Sequence, residues 1–317
     1  MLYFLTILNK LLLVVILMGS GVLAKRMHLV SEQGEKDISR IMVDLVWPAL
    51  IFSSITRTLK APDILNNLAL PFLCIITHLT GWGIGLVVAR FAGYEGDKKK
   101  IFLFHTTMNN FFIMALPFAE FFFPGKGTAL LAVANLGSIL LLWTLGASTV
   151  AGPMNRKELI RNIFSPGMIA TTVAIVFVLS GWNEYIPPFI SESVAALGQP
   201  TLFMGLFVAG TRIYELGFRA LRLDGWNILC GSIRLLLVPA LMLLLSLVLR
   251  PFLSEETLAI FMLVSMTPGS VNSVTMAFKY NVDPQHAAEG VVFTHVFGLL
   301  TMTGFVLLIV HVLLRLP

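Results

Sequence analysis

The residues best suited to binding chemistry cluster around Pro268 and Gly269, inside an apolar segment long enough to cross a membrane. Proline lacks an N–H and clashes with the preceding helical turn, so a helix should break there. Irregular backbone at membrane depth is tolerated only where protein buries it or where it lines a watery cavity. The stretch therefore predicts a substrate site, with a structural kink as the alternative. Hydroxyl and carboxamide side chains surround the break: Ser265, Thr267, Ser270, Asn272, Ser273 and Thr275.

A second interrupted segment lies earlier in the chain, between His105 and Pro117, and it contains the adjacent residues Asn109 and Asn110. Asn110 and Asn272 are 162 positions apart, and the first and sixth apolar segments begin at about the same spacing. Interrupted segments at corresponding places of two halves are typical of transporters built on an inverted repeat. Coincidence is the alternative, since Asn and Pro occur in many membrane helices.

The composition identifies an integral membrane protein. Of 317 residues, 57% are hydrophobic and 12% are charged, whereas a soluble domain carries about 25% charged residues. The net charge of +5 fits basic cytoplasmic loops, so the lipid bilayer is the expected partner and nucleic acid is not. Cys74 and Cys230 lie in apolar segments without metal-ligand spacing, and neither a metal nor a cofactor is predicted.

The length and hydropathy favour ten transmembrane helices with short loops. The predicted halves are residues 1–151 and 166–317, joined by a short cytoplasmic connector, 152–165. The second span is predicted to break at Trp47-Pro48. The predicted spans are 3–24, 38–59, 68–92, 101–123, 128–150, 166–181, 200–214, 226–249, 258–280 and 287–314.

Lys and Arg residues are concentrated in the loops that follow odd-numbered spans. The positive-inside rule then places those loops in the cytoplasm and both termini outside it. We expect a multi-pass protein of the inner (plasma) membrane. With five spans in each half, the second half would enter from the opposite side, as an inverted repeat requires.

Four motifs carry a resemblance to a known family: Gly21-Val-Leu-Ala-Lys-Arg26, Trp47-Pro-Ala-Leu-Ile-Phe-Ser-Ser54, Asn109-Asn-Phe-Phe-Ile-Met-Ala-Leu-Pro117 and Ala277-Phe-Lys-Tyr-Asn-Val-Asp-Pro284. In this order they resemble the auxin efflux carrier family in its shorter bacterial form, related to malonate and malate permeases and to plant PIN-FORMED transporters. The resemblance implies an all-α membrane fold of ten helices in a 5+5 inverted repeat. Helices four and nine would be broken and would cross, as in bile-acid symporters and related antiporters. Homodimers would also fit the family.

The resemblance implies that substrate binds at the crossing, and it carries over to Asn109, Asn110, Pro268, Gly269, Ser270 and Asn272. The plant pattern has Pro-Asn-Thr where this chain has Met108-Asn109-Asn110, so the asparagine that faces substrate stays open. Half-helix ends offer unpaired N–H groups and partial positive charge, which suit a carboxylate. For each asparagine, bonding the broken backbone is the alternative. Asn135 and Ser138, one helical turn apart on the fifth span, are further substrate-binding candidates, with helix–helix hydrogen bonding as their alternative.

Four ionisable residues within the spans are candidates for charge or proton coupling: Lys10, Asp44, His105 and Arg234. Structural alternatives exist for each. Arg234 could extend to the membrane surface, Asp44 could pair with Arg40 one turn away, Lys10 could reach lipid headgroups, and buried histidines often only pack.

The sequence predicts a secondary carrier of small organic acid anions, malonate- or malate-type carboxylates or auxin-like weak acids, working by alternating access at the crossing. The alternative is a sodium-coupled organic-anion symporter of the bile-acid type. An enzyme is not expected, because the intramembrane histidines are scattered and Glu120 has no evident partner in the sequence.

Overall fold

The computed structural model describes residues 2–153, 155–217 and 220–314, and the regular secondary structure of these residues is helical apart from a single isolated antiparallel bridge. The ends of both predicted halves (residues 1 and 315–317), one connector residue (154) and residues 218–219 lie outside them. The helices are α1 Leu2–Arg26, α2 Glu32–Thr58, α3 Ala61–Asn66, α4 Ala69–Phe91, α5 Gly96–Thr107, α6 Phe111–Phe122, α7 Gly127–Ala151, α8 Arg156–Ile163, α9 Pro166–Leu179, α10 Pro188–Gly198, α11 Thr201–Leu216, α12 Gly225–Leu249, α13 Glu255–Ser265, α14 Asn272–Tyr280 and α15 Pro284–Leu313.

Seven helical segments of the described chain are long and apolar enough to span a membrane, and an eighth is added if α8 and α9, bent by 56°, form one span. The predicted fourth and ninth spans are each divided into two short helices, α5 with α6 and α13 with α14. The prediction of an all-α membrane protein is therefore confirmed. Ten separate helices of membrane-spanning length are not found among the described residues. Large apolar side chains such as Ile16, Phe72 and Val248 are exposed on the outside, as a lipid-facing surface requires.

The predicted break at Trp47-Pro48 is wrong. Helix α2 continues through this point, with a π-helical turn at Met42–Val46 just before the proline. Helix α12 repeats the arrangement, with a π-helical turn at Ile233–Leu237 before Pro239. A wider turn accommodates the proline ring and its missing donor without ending the helix.

The centre of the molecule is helix α13, in which every residue from Thr257 to Ser265 is buried. It packs against α4, α6 and α7, while α14 packs against α5 and α7. Elsewhere α1 lies along α11, where a Cβ atom on Gly21 or Gly210 would overlap the backbone of the facing helix. Small residues at these positions allow the close approach.

Candidate functional site

The two broken helices meet backbone to backbone. The amide of Asn110 donates to the carbonyl of Pro268 at 2.9 Å, and the amide of Ser270 donates to the carbonyl of Met108 at 3.0 Å. These bonds form the antiparallel bridge between Asn109 and Gly269. Both predicted breaks are therefore real, and each supplies hydrogen-bond partners for the other, as backbone at membrane depth requires. Pro117, by contrast, lies inside α6 without ending it.

The carbonyl groups at the C-terminal end of α13 accept hydrogen bonds from side chains elsewhere in the chain. Asn109 donates from its carboxamide nitrogen to Val264 O at 2.7 Å. Arg234 of α12 donates from Nε to Thr267 O at 3.1 Å and from Nη2 to Ser265 O. These donors satisfy carbonyl groups that a helix end leaves unpaired.

Arg234 is fully buried, so the alternative that it extends to the membrane surface is wrong. Its Nη1 has no hydrogen-bond partner among the described residues. A buried guanidinium on the carbonyl groups of a broken helix places a fixed positive charge directly behind the crossing.

A cavity of about 320 Å³ lies on the other side of the crossing. Its polar side chains include Asn109, Asn110, Ser270, Asn272 and Thr275 from the two breaks. Its walls are mostly apolar and aromatic, and they include Trp47, Phe111, Phe112, Ile139, Leu142, Trp143 and Val208. A concave, largely apolar site with a few convergent polar groups is the usual form of a small-molecule site.

The N-termini of α6, at Phe111, and of α14, at Asn272, both line this cavity. Unpaired N–H groups and the helix dipole give such ends a partial positive charge. The Asn272 side chain is exposed, and the residue's backbone N–H donates to Ser270 Oγ at 3.3 Å. The next two N–H groups of α14 are engaged as well, Ser273 with Ser270 O at 3.1 Å and Val274 with Val271 O at 3.2 Å. Helix α14 therefore contributes its dipole and the carboxamide of Asn272 to the cavity rather than free backbone donors.

Helix α7 brings Asn135 and Ser138 to the same cavity. Asn135 is 5% exposed, and its amide nitrogen has no partner among the described residues. Ser138 is already engaged, because its hydroxyl lies 2.6 Å from His78 Nε2 and 3.0 Å from Cys74 Sγ. Asn135 is thus the more available donor of the two.

Other predicted residues lie beside the cavity rather than in its lining. Pro268 and Gly269 form the crossing itself, and Gly269 N donates to Thr294 Oγ1 at 3.2 Å. His105 is buried behind Gly269, where a Cβ atom would come within 2.7 Å of His105 Nδ1.

The remaining charged candidates are also outside the cavity lining. Asp44 is half exposed and forms an ion pair with Arg40 at 3.6 Å. This pair is the structural role that the sequence offered as the alternative to charge coupling. Lys10 is partly exposed on α1. Glu120 is not unpartnered, because it accepts from the backbone of Gly125 at 2.9 Å and from Thr128.

Sequence reasoning missed Arg212 as a cavity residue. One face of α11 lines the cavity through Gly205, Val208, Ala209 and Arg212. At the rise of an α-helix, the distance along the helix axis from Gly205 to Arg212 is about 10 Å. Gly205 packs against Ile113 beside the crossing, so Arg212 lies toward the far end. Its Nε pairs with the buried Glu35, which also accepts from Lys25 at 3.3 Å. The sequence did contain a signal for this. The four residues follow the i, i+3, i+4, i+7 spacing of one helix face, and that face ends at a basic residue.

The profile of a family described as membrane transport protein matches residues 6–157 and 150–306. An uncharacterized transporter of Methanocaldococcus jannaschii is 23% identical over 308 residues, covering 94% of this chain and 97% of the relative. An uncharacterized transporter of Methanothermobacter thermautotrophicus is 22% identical over 300 residues, covering 94% and 95%. The chain therefore belongs to the membrane transport protein family of auxin efflux carrier-like transporters.

Proposed function

We propose that this transporter is a secondary carrier of small organic acid anions that binds its substrate at the crossing. The observation that carries the proposal is the opening of two helix N-termini, those of α6 and α14, onto one cavity. A carboxylate is the group that such ends attract. The aromatic and aliphatic walls suit the organic part of the anion, as in malonate- or malate-type carboxylates or auxin-like weak acids.

Two further groups support an anion at this place. The free amide nitrogen of Asn135 is a donor with no protein partner among the described residues. Arg212, at the far end of the cavity, balances the carboxylates of Glu35 and Glu215 together with Lys25, so this end does not repel an arriving anion. Of the two adjacent asparagines, we assign substrate contact to Asn110, because the carboxamide nitrogen of Asn109 is held by Val264.

We also propose that the chain is a 5+5 inverted repeat of ten spans that works by alternating access. The hydrogen bonds between the two breaks support this proposal. So does the packing of helices from one half on helices from the other: α1 packs on α11, and α9 packs on α2. If α1 corresponds to α9 and α2 to α11, these two contacts are equivalent. Helices α7 and α15, the fifth of each half, both contain a π-helical turn toward their C-terminal ends. Extracytoplasmic termini in the plasma membrane and a homodimer complete this proposal.

Sodium coupling is not required by this arrangement. In many sodium-coupled carriers, unwound carbonyl groups at a half-helix end coordinate the ion. Here the carbonyl oxygens of Ser265 and Thr267 accept hydrogen bonds from Arg234. A fixed guanidinium thus takes a position where a coupling cation would otherwise be held.

The test is counterflow of radiolabelled malonate, malate and indole-3-acetate in proteoliposomes. Asn110→Ala and Asn272→Ala should abolish exchange of the transported anion while the protein stays folded. Asn66→Ala, at an exposed position on α3, is the matched control and should exchange like the wild type. Unchanged exchange in both cavity variants would refute the proposed site.

A further inference from the structure

His295 of α15 is buried at the crossing, and its protonation pattern is fixed by its partners. The side chain is 1% exposed, and Nδ1 lies 2.9 Å from the carbonyl oxygen of Val291. A carbonyl oxygen only accepts, so Nδ1 carries the hydrogen. Nε2 of the neutral ring is then a hydrogen-bond acceptor.

Asn110 supplies the donor to that acceptor. Its carboxamide nitrogen lies 3.3 Å from His295 Nε2. The carboxamide oxygen has no hydrogen-bond partner among the described residues, and Asn110 lines the cavity. With the nitrogen turned toward His295, the oxygen is the group left for the cavity, and an oxygen there opposes a carboxylate.

We infer that a proton is carried together with the anion and that it binds at His295 Nε2. This inference rests on the proposed function and adds the coupling ion to it. Once Nε2 carries a hydrogen it becomes a donor, and Asn110 must turn its amide over to accept with Oδ1. Both hydrogens of Nδ2 then become available to the anion. The imidazolium also adds a positive charge beside the site.

The surroundings explain why neither ion should bind alone. His105 of α5 is a titratable group that faces the same helix, because its Nε2 lies 3.1 Å from the carbonyl oxygen of Ala287. Other elements packed against α15 carry Lys10, which is partly exposed on α1, and charged groups that are engaged elsewhere: Arg234 with carbonyl groups, Arg212 with Glu35, Lys25 with Glu35 and Glu215, and Lys279 with Glu158. On α15 itself, Glu289 pairs with Arg222 and His286 with Asp283.

No carboxylate pairs with His295 among the described residues. An imidazolium in this buried place lacks a counter-charge until an anion occupies the cavity, and burying an uncompensated charge is costly. The anion therefore supplies what the proton needs, and the proton turns Asn110 into the orientation that the anion needs. Linkage of one proton makes the anion affinity fall about tenfold per pH unit above the titration of His295.

Isothermal titration calorimetry tests the inference on the purified full-length chain. Malonate, malate and indole-3-acetate are titrated at pH 7.5 in two buffers of different ionisation enthalpy, which gives the number of protons taken up per anion bound. The wild type should take up about one proton. His295→Gln should bind the same anion more weakly and without proton uptake, because glutamine can donate to Asn110 as the imidazolium does but can neither titrate nor carry its charge. His311→Gln, exposed on the same helix, should take up the proton like the wild type.

The outcomes separate this inference from the function on which it rests. Anion binding by the wild type without proton uptake would overturn the inference alone, as would full uptake in His295→Gln. Failure of all three anions to bind the wild type would overturn the proposed function. The pH dependence of wild-type affinity between pH 7 and 8.5 needs no variant, and a flat profile would also contradict coupling.

Discussion

Asn109 donates from its carboxamide to the carbonyl oxygen of Val264, 2.7 Å away, and so ties the break in the first half of the chain to the end of a helix in the second. Its neighbour Asn110 places its carboxamide nitrogen 3.3 Å from His295 Nε2, and both asparagines line the cavity. Adjacent residues of the same type thus have different hydrogen-bond partners, a helix-end carbonyl for Asn109 and a titratable ring for Asn110.

Exchanging Asn109 for alanine should therefore affect stability more than binding. The change removes the shorter of two hydrogen bonds to Val264 O, the other coming from Thr267 Oγ1 at 3.1 Å, and the loss of one such bond costs about 0.5–1.5 kcal/mol. We expect a larger fall in melting temperature in detergent for Asn109→Ala, which loses a bond of 2.7 Å, than for Asn110→Ala, which loses one of 3.3 Å. The reverse order of stabilities would contradict the assignment of roles.

Arg234 should be required as arginine. Two of its nitrogens donate to carbonyl oxygens two residues apart, Ser265 and Thr267. Lysine has a single nitrogen and cannot reproduce this forked geometry. Arg234→Lys should therefore lower the melting temperature clearly, whereas Arg40→Lys, at an exposed pair, should leave it within experimental error. Equal stability of the two variants would show that the carbonyl groups do not depend on the guanidinium.

Arg212 should govern anion capture rather than the integrity of the crossing. Arg212→Gln leaves Lys25 alone against Glu35 and Glu215, so the far end of the cavity becomes negative, and we expect about a three- to tenfold rise in the KM for anion uptake at low salt. Added salt should reduce this rise, because it screens the repulsion. Arg212→Lys should show little of this rise. A KM for Arg212→Gln equal to that of the wild type at low salt would rule out this role.

Replacing sodium by choline should leave transport unchanged. The reason is the guanidinium of Arg234, which donates to the carbonyl oxygens of Ser265 and Thr267 and so places a positive charge where a coupling cation would bind. Uptake is measured in the two salts at equal ionic strength. Loss of uptake in choline would instead favour the sodium-coupled symporter.

The positions of the two breaks were predictable because Pro268 with Gly269, and Asn109 with Asn110, disrupt helices through local backbone chemistry. Trp47-Pro48 and Pro117 were harder to interpret, since a π-helical turn or neighbouring helices can accommodate a proline. The burial of Arg234 could not be predicted, because its partners are carbonyl groups more than 30 residues away. The same holds for Arg212, whose place in the cavity depends on the packing of α11 beside the crossing.

Ligand-induced thermal stabilisation of the wild type and of Asn272→Ala tests the central claim most directly. A ligand present at 100 times its Kd stabilises the folded state by about 2.7 kcal/mol. Malonate, malate, succinate, indole-3-acetate and taurocholate are compared, each with and without sodium. We predict that a small organic anion raises the melting temperature of the wild type without sodium and that Asn272→Ala loses this shift. An equal shift in the variant, or a shift of the wild type only with sodium present, would contradict anion binding at the crossing as described.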